Sequence, residues 1–308
     1  MKPIIEIEHL SVWFTQYDRG IRKRRLNVVR DLSLAIWPGQ IMAVVGASGS
    51  GKSLLAHAVL HLLPYNAHME GKIWYDGQIL EEDRVSGLRG EEIALIPQGV
   101  TYLDPLMKVG SQLRKGKNDA ASREKSRKAL ERYGLGPETE DLYPFELSGG
   151  MARRVLIASA VIGHPRLIIA DEPTPGLDRQ AAGQILGHFR ELADEGAGVL
   201  FITHDLGLAL TVADRVTVFY AGETIEEADA VDFSNAGNLR HPFTRALWKA
   251  MPENGFVPVS GAQPYPGSAE SGCRFAGQCA ACTAECRAAE QIPLRTSRGG
   301  MVRCIYDT

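Results

Sequence analysis

The sequence predicts an α/β fold, a mostly parallel sheet covered by helices, with a distinct region at its C-terminal end. Three observations lead there. Short apolar runs rich in β-branched residues alternate with longer Ala- and Leu-rich stretches, the order expected of strands joined by crossover helices. The glycine-rich octet Gly46-Ala47-Ser48-Gly49-Ser50-Gly51-Lys52-Ser53 lies between an apolar run and a helical stretch, as a strand-to-helix loop must. Beyond Pro252 the texture turns Pro- and Gly-rich and then cysteine-rich, which marks off a separate C-terminal appendage.

Taken in order, residues 4–7, 10–14, 32–36 and 41–45 read as short β segments, the last two separated by the turn signal Pro38-Gly39. A helix from Lys52 runs to about residue 63, where Pro64 stops it. Residues 71–77 look like a hairpin strand and 93–96 like another. From about Pro97 to Leu147 the β-branched runs vanish and a charged helix-forming stretch, 122–133, suggests a helical insertion. Residues 166–172 form a buried apolar strand ending in Asp171 and Glu172. A helix from Arg179, a strand at 199–203, a helix near 206–213 and strands near 216–220 follow.

The length of 308 residues suits one large α/β domain with a smaller appendage, and an apolar content of 44% supports a sizeable core. A net charge of −3 gives no reason to expect a nucleic-acid partner. Two basic runs, 19–25 and 114–128, read as solvated loop or helix faces. There is no N-terminal apolar signal region and no apolar stretch approaching the ~20 residues of a spanning helix, so the expectation is a chain neither secreted nor integral to a membrane. Of the five cysteines, four crowd between Cys273 and Cys286, which in a reducing compartment points to metal rather than disulfide.

The octet fits G-x-x-x-x-G-K-[ST]. Its backbone N–H groups wrap α/β-phosphates, Lys52 reaches the β/γ-phosphates and Ser53 offers a hydroxyl to Mg²⁺. An ordinary strand-to-helix turn is the bland alternative, and the motif alone leaves kinases, GTPases, helicases and transport ATPases open. Leu147-Ser148-Gly149-Gly150-Met151 narrows the choice, because it opens a helix continuing through Val155, Leu156, Ile157 and Val161. A helix start with free N–H groups is an anion site. In a chain that already has a phosphate loop, it reads as completing the nucleotide pocket of another subunit.

Hydrolysis of a γ-phosphate needs neutralised charge, a held metal and an oriented water. Asp171 suits Mg²⁺ through its water shell and Glu172 would polarise the water, although solvated acids at a strand end are the bland reading. His204 ends the strand 199–203 and precedes Asp205; a lone histidine is more often structural. An aromatic face for adenine is expected at Phe14, with Trp13 as the alternative and plain core packing as the rival reading of both.

These residues closely resemble the ABC-transporter ATPase family. The resemblance implies a P-loop NTPase (RecA-like) core with an antiparallel β subdomain, a helical insertion at about 99–165, an ATPase domain over 1–252 and a cysteine-rich region over 253–308. It places ATP on Gly46, Ser48, Gly49, Gly51, Lys52, Ser53 and Leu54, and Mg²⁺ on Ser53 and Gln98. It gives Gln98 to the Q-loop, His204 to the γ-phosphate switch and Asp178 to the D-loop at a dimer seam. Ser148, Gly149 and Gly150 would meet the nucleotide of a partner ATPase.

Leu142-Tyr143-Pro144-Phe145-Glu146, the run His241-Pro242-Phe243-Thr244-Arg245-Ala246-Leu247 and the cysteine tail look like the importer subfamily for dipeptides, oligopeptides and nickel. Departures are Pro97 where Phe is usual, Arg153 in place of a common Gln, and Gly176 in the D-loop. None removes a group needed for hydrolysis. Family members with a four-cysteine tail match Cys273, Cys279, Cys286 and Cys304, and some bind a [4Fe–4S] cluster there; zinc is the second choice, and Cys282 is spare.

What the resemblance implies is a peripheral ATPase at the cytoplasmic face of the cell membrane. It would pair with a second ATPase subunit, identical or related, and would drive two transmembrane permease subunits, with an extracytoplasmic solute-binding protein served indirectly. The cargo is not written in the chain. A soluble ABC ATPase of DNA repair or translation, or one with a regulatory or sensing role through its metal cluster, is the rival reading.

Overall fold

The structure, a computed structural model, describes residues 2–18, 20–259, 261–264 and 271–306; Arg19, where the first basic run begins, lies outside them. In chain order the described residues form β1 (Ile5–Asp18), β2 (Arg22–Ile36), β3 (Ile41–Val45), α1 (Lys52–Val59), β4 (Ala67–Tyr75), β5 (Gln78–Ile79), α2 (Glu82–Leu88) and β6 (Ile93–Ile96). A helical stretch follows, with α3 (Val109–Leu113), α4 (Ala120–Arg132) and α5 (Gly149–Val161). The chain then returns to the core with β7 (Leu167–Asp171), α6 (Arg179–Asp194), β8 (Gly198–Thr203), α7 (Leu206–Leu210), β9 (Arg215–Tyr220) and β10 (Glu223–Asp229). It ends with α8 (Pro242–Lys249), α9 (Ala284–Ala288), β11 (Arg295–Ser297) and β12 (Gly300–Val302).

The strands make two sheets, an antiparallel one ordered β2-β1-β4-β5 and an eight-stranded one ordered β11-β12-β10-β9-β3-β8-β7-β6. In the second, β6, β7, β8, β3 and β9 run parallel, while β10, β12 and β11 are antiparallel. Strands β3, β7 and β8 are buried along their whole length because both faces are covered, so they lack any polar alternation. Successive side chains still point to opposite faces. Ile41, Ala43, Val45, Ile168, Ala170, Val199 and Phe201 pack with α5 and α6 on one side. Met42, Val44, Ile169, Leu200 and Ile202 pack on the other with α1 and the antiparallel sheet.

Three expectations need correction. The strands near the N-terminus are longer than the apolar runs suggest: the basic residues Arg22 to Arg25 are not a loop or helix face but the exposed end of β2, paired with the end of β1. An edge with no core beneath it tolerates such side chains. Second, β10 escapes sequence reading because its run Glu223-Thr224-Ile225-Glu226-Glu227 looks solvent-facing, yet Glu226 is fully buried and accepts hydrogen bonds from the backbone N–H groups of Arg240 (2.8 Å) and His241 (2.7 Å).

Third, the tail is docked rather than separate. The β11–β12 hairpin extends the main sheet at β10, and Phe275 is buried against Tyr220, Phe243 and His241. Burying a side chain of that size stabilises the docked arrangement by about 1.5–3 kcal/mol. Arg303, 2% exposed, pins it further by donating to Thr224 O (2.9 Å), Ile292 O (2.8 Å) and the Asp31 carboxylate of β2 (3.0 Å).

Candidate active site

The parallel strands bring their C-terminal ends to one edge, where ligands of open α/β sheets bind. Val45 of β3 pairs with Thr203 of β8, Asp171 of β7 with Ile202, and Ala170 with Ile96 of β6. The residues that follow these ends are Gly46, His204, Glu172 and Gln98. Residues from distant parts of the chain therefore lie along one edge of the sheet.

The phosphate loop turns tightly between β3 and α1. Gly46 has no room for a side chain, since a Cβ there would lie 2.2 Å from Phe219 O. Gly51 adopts φ 100° as the N-cap of α1, against Val28 and Val29 of β2, with no side chain capping the helix start. The first-turn N–H groups are thereby left for an anion. Ser48 and Gly49 are exposed, and Leu54 packs partly buried behind the loop. Lys52 is buried, and its Nζ donates to Gly46 O (2.7 Å) and Ala47 O (2.9 Å). Burial lowers its affinity for the proton, and the charges of Glu172 and Asp171 oppose that shift.

Asp171 is 4% exposed, and burial raises its pKa; a hydrogen bond with Ser53 works against the shift and the Glu172 charge adds to it. Its Oδ1 has no hydrogen-bond partner among the described residues. An orphaned carboxylate oxygen beside a serine hydroxyl is a donor set that fits Mg²⁺, a hard cation that takes oxygen ligands. Glu172 is buried and sits at φ 48°, a left-handed backbone that costs a non-glycine residue about 1–3 kcal/mol. Its carboxylate oxygens lie 2.8 and 2.9 Å from Nδ1 of the half-exposed His204. The neighbouring Asp205 has a different task, capping α7 through Leu208 N (2.9 Å).

Ser148 caps α5, its Oγ accepting from Met151 N (3.2 Å), and Ser148 and Gly149 are exposed. Gly150 faces the D-loop: a Cβ there would lie 3.7 Å from Leu177 Cδ2. Asp178 caps α6 through Ala181 N (2.8 Å). The Gln98 side chain is exposed at the end of β6. On β1, Trp13 is already covered by the Arg25 guanidinium 3.7 Å from its ring centroid and by His68 stacked at 5.7 Å. Phe14, part-buried on the same strand, pairs with Leu26 of β2.

All five cysteines are free. Burial pushes the Cys273 thiol up to about 11, and Cys304, Cys286 and Cys279 each add to the rise, so these four are electrostatic neighbours. Among the described residues, however, no three His, Cys, Asp or Glu side chains converge closely enough to hold a metal ion. As placed, the thiols do not form a metal centre.

Sequence reasoning named Arg153 only as a departure from a pattern. The structure buries its guanidinium against backbone carbonyls of Pro97 (3.0 Å), Gln98 and Glu172 (3.4 Å). A charged residue on the same helical face as Leu156 and Ile157 was the legible signal.

Residues 29–175 match the ABC transporter family, and residues 225–286 match the oligopeptide/dipeptide transporter C-terminal region. The chain is 34% identical to a putative peptide import ATP-binding protein of Brucella abortus (strain 2308), covering 98% of this chain and 94% of that one. It is 33% identical to the dipeptide transport ATP-binding protein DppD of Escherichia coli (strain K12), over 98% and 96% of the two chains. Among solved structures, it is similar to the ATP-binding cassette MJ0796 in a dimeric post-hydrolysis state bound to ADP and Pi. That match has a TM-score of 0.63, 25% identity, and coverage of 73% of this chain and 98% of that one. No helix among the described residues is long and apolar enough to cross a membrane.

Proposed function

The chain belongs to the ABC-transporter ATPase family, and from that premise we propose that it is the ATP-hydrolysing subunit of an importer for di- or oligopeptides. The observation that carries the reading is the contact of Glu172 with His204 beside the buried Lys52 and Asp171. Lys52 and the N–H groups of the phosphate loop bind the phosphates, and Glu172 orients the attacking water and accepts its proton. His204 holds the Glu172 carboxylate and remains exposed enough to reach a γ-phosphate. Ser53 and Gln98 would hold Mg²⁺, with Asp171 acting through water, and the ion would neutralise phosphate charge. Phe14 stacks on adenine.

Ser148, Gly149 and Gly150 serve the nucleotide of a second ATPase subunit, identical or related, and Asp178 lies at the same seam. Support comes from the exposure of Ser148 and Gly149 and from the dimeric state of the similar cassette. Two permease subunits would cross the bilayer, with this chain peripheral at the cytoplasmic face and a solute-binding protein served indirectly.

The names of the relatives favour peptides over a nickel chelate and do not favour a soluble regulatory role. A [4Fe–4S] cluster, or zinc, on Cys273, Cys279, Cys286 and Cys304 has one support, the proximity of the four thiols, and requires them to draw together from the positions described. Reconstitution with its permeases and binding protein tests the cargo. Di- or oligopeptides are expected to stimulate ATP hydrolysis and to be taken up; stimulation by a nickel chelate and by no peptide would overturn the peptide assignment.

A further inference from the structure

Arg153 lies in the second turn of α5, the helix that begins at Ser148, and is 8% exposed. Its Nη1 donates to Pro97 O at 3.0 Å and to Glu172 O at 3.4 Å, and its Nη2 donates to Gln98 O. The three acceptors belong to the two segments that leave β6 and β7. One carries the glutamine assigned to the metal and the other the carboxylate assigned to the attacking water. We propose that Arg153 is a positioning residue for hydrolysis, tying the backbone at Gln98 and Glu172 to the signature helix so that the position of that helix sets the aim of the water-orienting carboxylate. This inference rests on the ATPase reading above.

The geometry has three parts. Glu172 sits in a left-handed backbone conformation that must be held from outside. Its N–H donates to Ile202 O at 2.9 Å and its carbonyl accepts from Arg153, so the peptide units on both sides are pinned. The contacts to Pro97 O and Glu172 O are buried, so no water replaces a lost donor there, and the planar fork of a guanidinium reaches several acceptors at once, which neither an ammonium nor an amide can reproduce. Since a displacement of about 1 Å in a catalytic group can cost about 10²-fold in rate, a link that fixes the backbone of Glu172 bears directly on turnover.

The test uses the full chain assembled with its permeases, with Arg153→Met, Arg153→Lys and the double variant Arg153→Met/Gln98→Ala. Arg153→Met is expected to lower kcat about 10²-fold while KM for ATP stays within about twofold of wild type. Arg153→Lys is expected to recover part of the loss. The double variant should lose less than the product of the two single losses, because both act through one segment. A folded Arg153→Met with wild-type kcat, or strictly multiplicative losses in the double variant, would overturn the proposal. So would a fall in ATP affinity that accounts for the whole defect. If Arg153→Met does not fold, the lysine variant decides, and wild-type kcat in it overturns the proposal. Wild-type assembly without ATPase activity would instead overturn the reading on which the inference rests.

Discussion

Glu172 and His204 meet as a carboxylate and an imidazole, with Nδ1 of His204 2.8 and 2.9 Å from the two oxygens of Glu172. Their side chains differ sharply in exposure, 8% for the glutamate and 54% for the histidine. The carboxylate is therefore shielded and oriented while the ring keeps an open side for a phosphate. Glu172→Gln keeps the shape but removes the proton acceptor. ATP binding is expected to persist through Lys52 while turnover in the assembled complex falls by about 10²-fold or more. Hydrolysis close to wild type in that variant would remove Glu172 from its assigned role.

Ser148→Arg places a long cation at an exposed helix start. Loss of the cap to Met151 N costs about 1 kcal/mol of stability, so the chain is expected to remain folded. Nucleotide affinity of the chain alone should be unchanged and hydrolysis by the assembled complex blocked, because the serine serves the partner's ATP. If the variant alone loses ATP affinity as severely as Lys52→Ala, the serine acts on its own subunit's nucleotide.

Burial holds two histidines neutral. The ring of His188, in contact with the Tyr133 hydroxyl, is pushed down to about 4, with burial as the main cause and Arg132 adding to it. His241, which caps α8 by accepting from Phe243 N at 3.0 Å, is pushed down to about 3, again chiefly by burial. Because unfolding lets both rings protonate near their ordinary value of 6.5, the unfolded state binds more protons below that pH. Their contribution to stability is complete above about pH 6.5 and is lost as pH falls toward 4 for His188 and 3 for His241. Denaturant unfolding between pH 7.5 and 5 should show a shallower loss of stability in His188→Gln than in wild type. Identical slopes would mean that His188 is not held neutral in the fold.

The thiols of the tail give a metal prediction. If Cys273, Cys279, Cys286 and Cys304 close around a cubane, anaerobically purified protein carries about four irons per chain and absorbs broadly near ~400 nm. Each ligand→Ser change then loses iron and Cys282→Ser does not. Stoichiometric zinc in colourless protein would transfer the site to that metal, and metal-free protein from anaerobic cells would leave free thiols only.

Much of the site could be read from the chain because its parts are contiguous. The octet ending in Lys52-Ser53, the strand ending in Asp171-Glu172 and the Ser148-Gly149-Gly150 helix start each need only a strand or helix beside them, and local apolar patterning supplies that. β10 could not be read in this way. Its glutamates mimic a solvated strand, and the burial of Glu226 is tolerable because the backbone N–H groups of Arg240 and His241 and the buried Arg240 guanidinium, 3.4 Å away, satisfy its carboxylate.

The parallel core, the phosphate loop and the acids at the strand end follow from periodicity and spacing within a few turns or strands, and so are legible in the chain alone. Which distant groups touch is settled by the folded arrangement. His204 reaches a carboxylate 32 residues away, Arg153 a carbonyl 56 residues away and Arg303 a carboxylate 272 residues away. The reason is physical: a side chain's partner depends on which strands lie side by side. Strand order is fixed by burial summed over the whole sheet, and no local segment of the sequence contains that information.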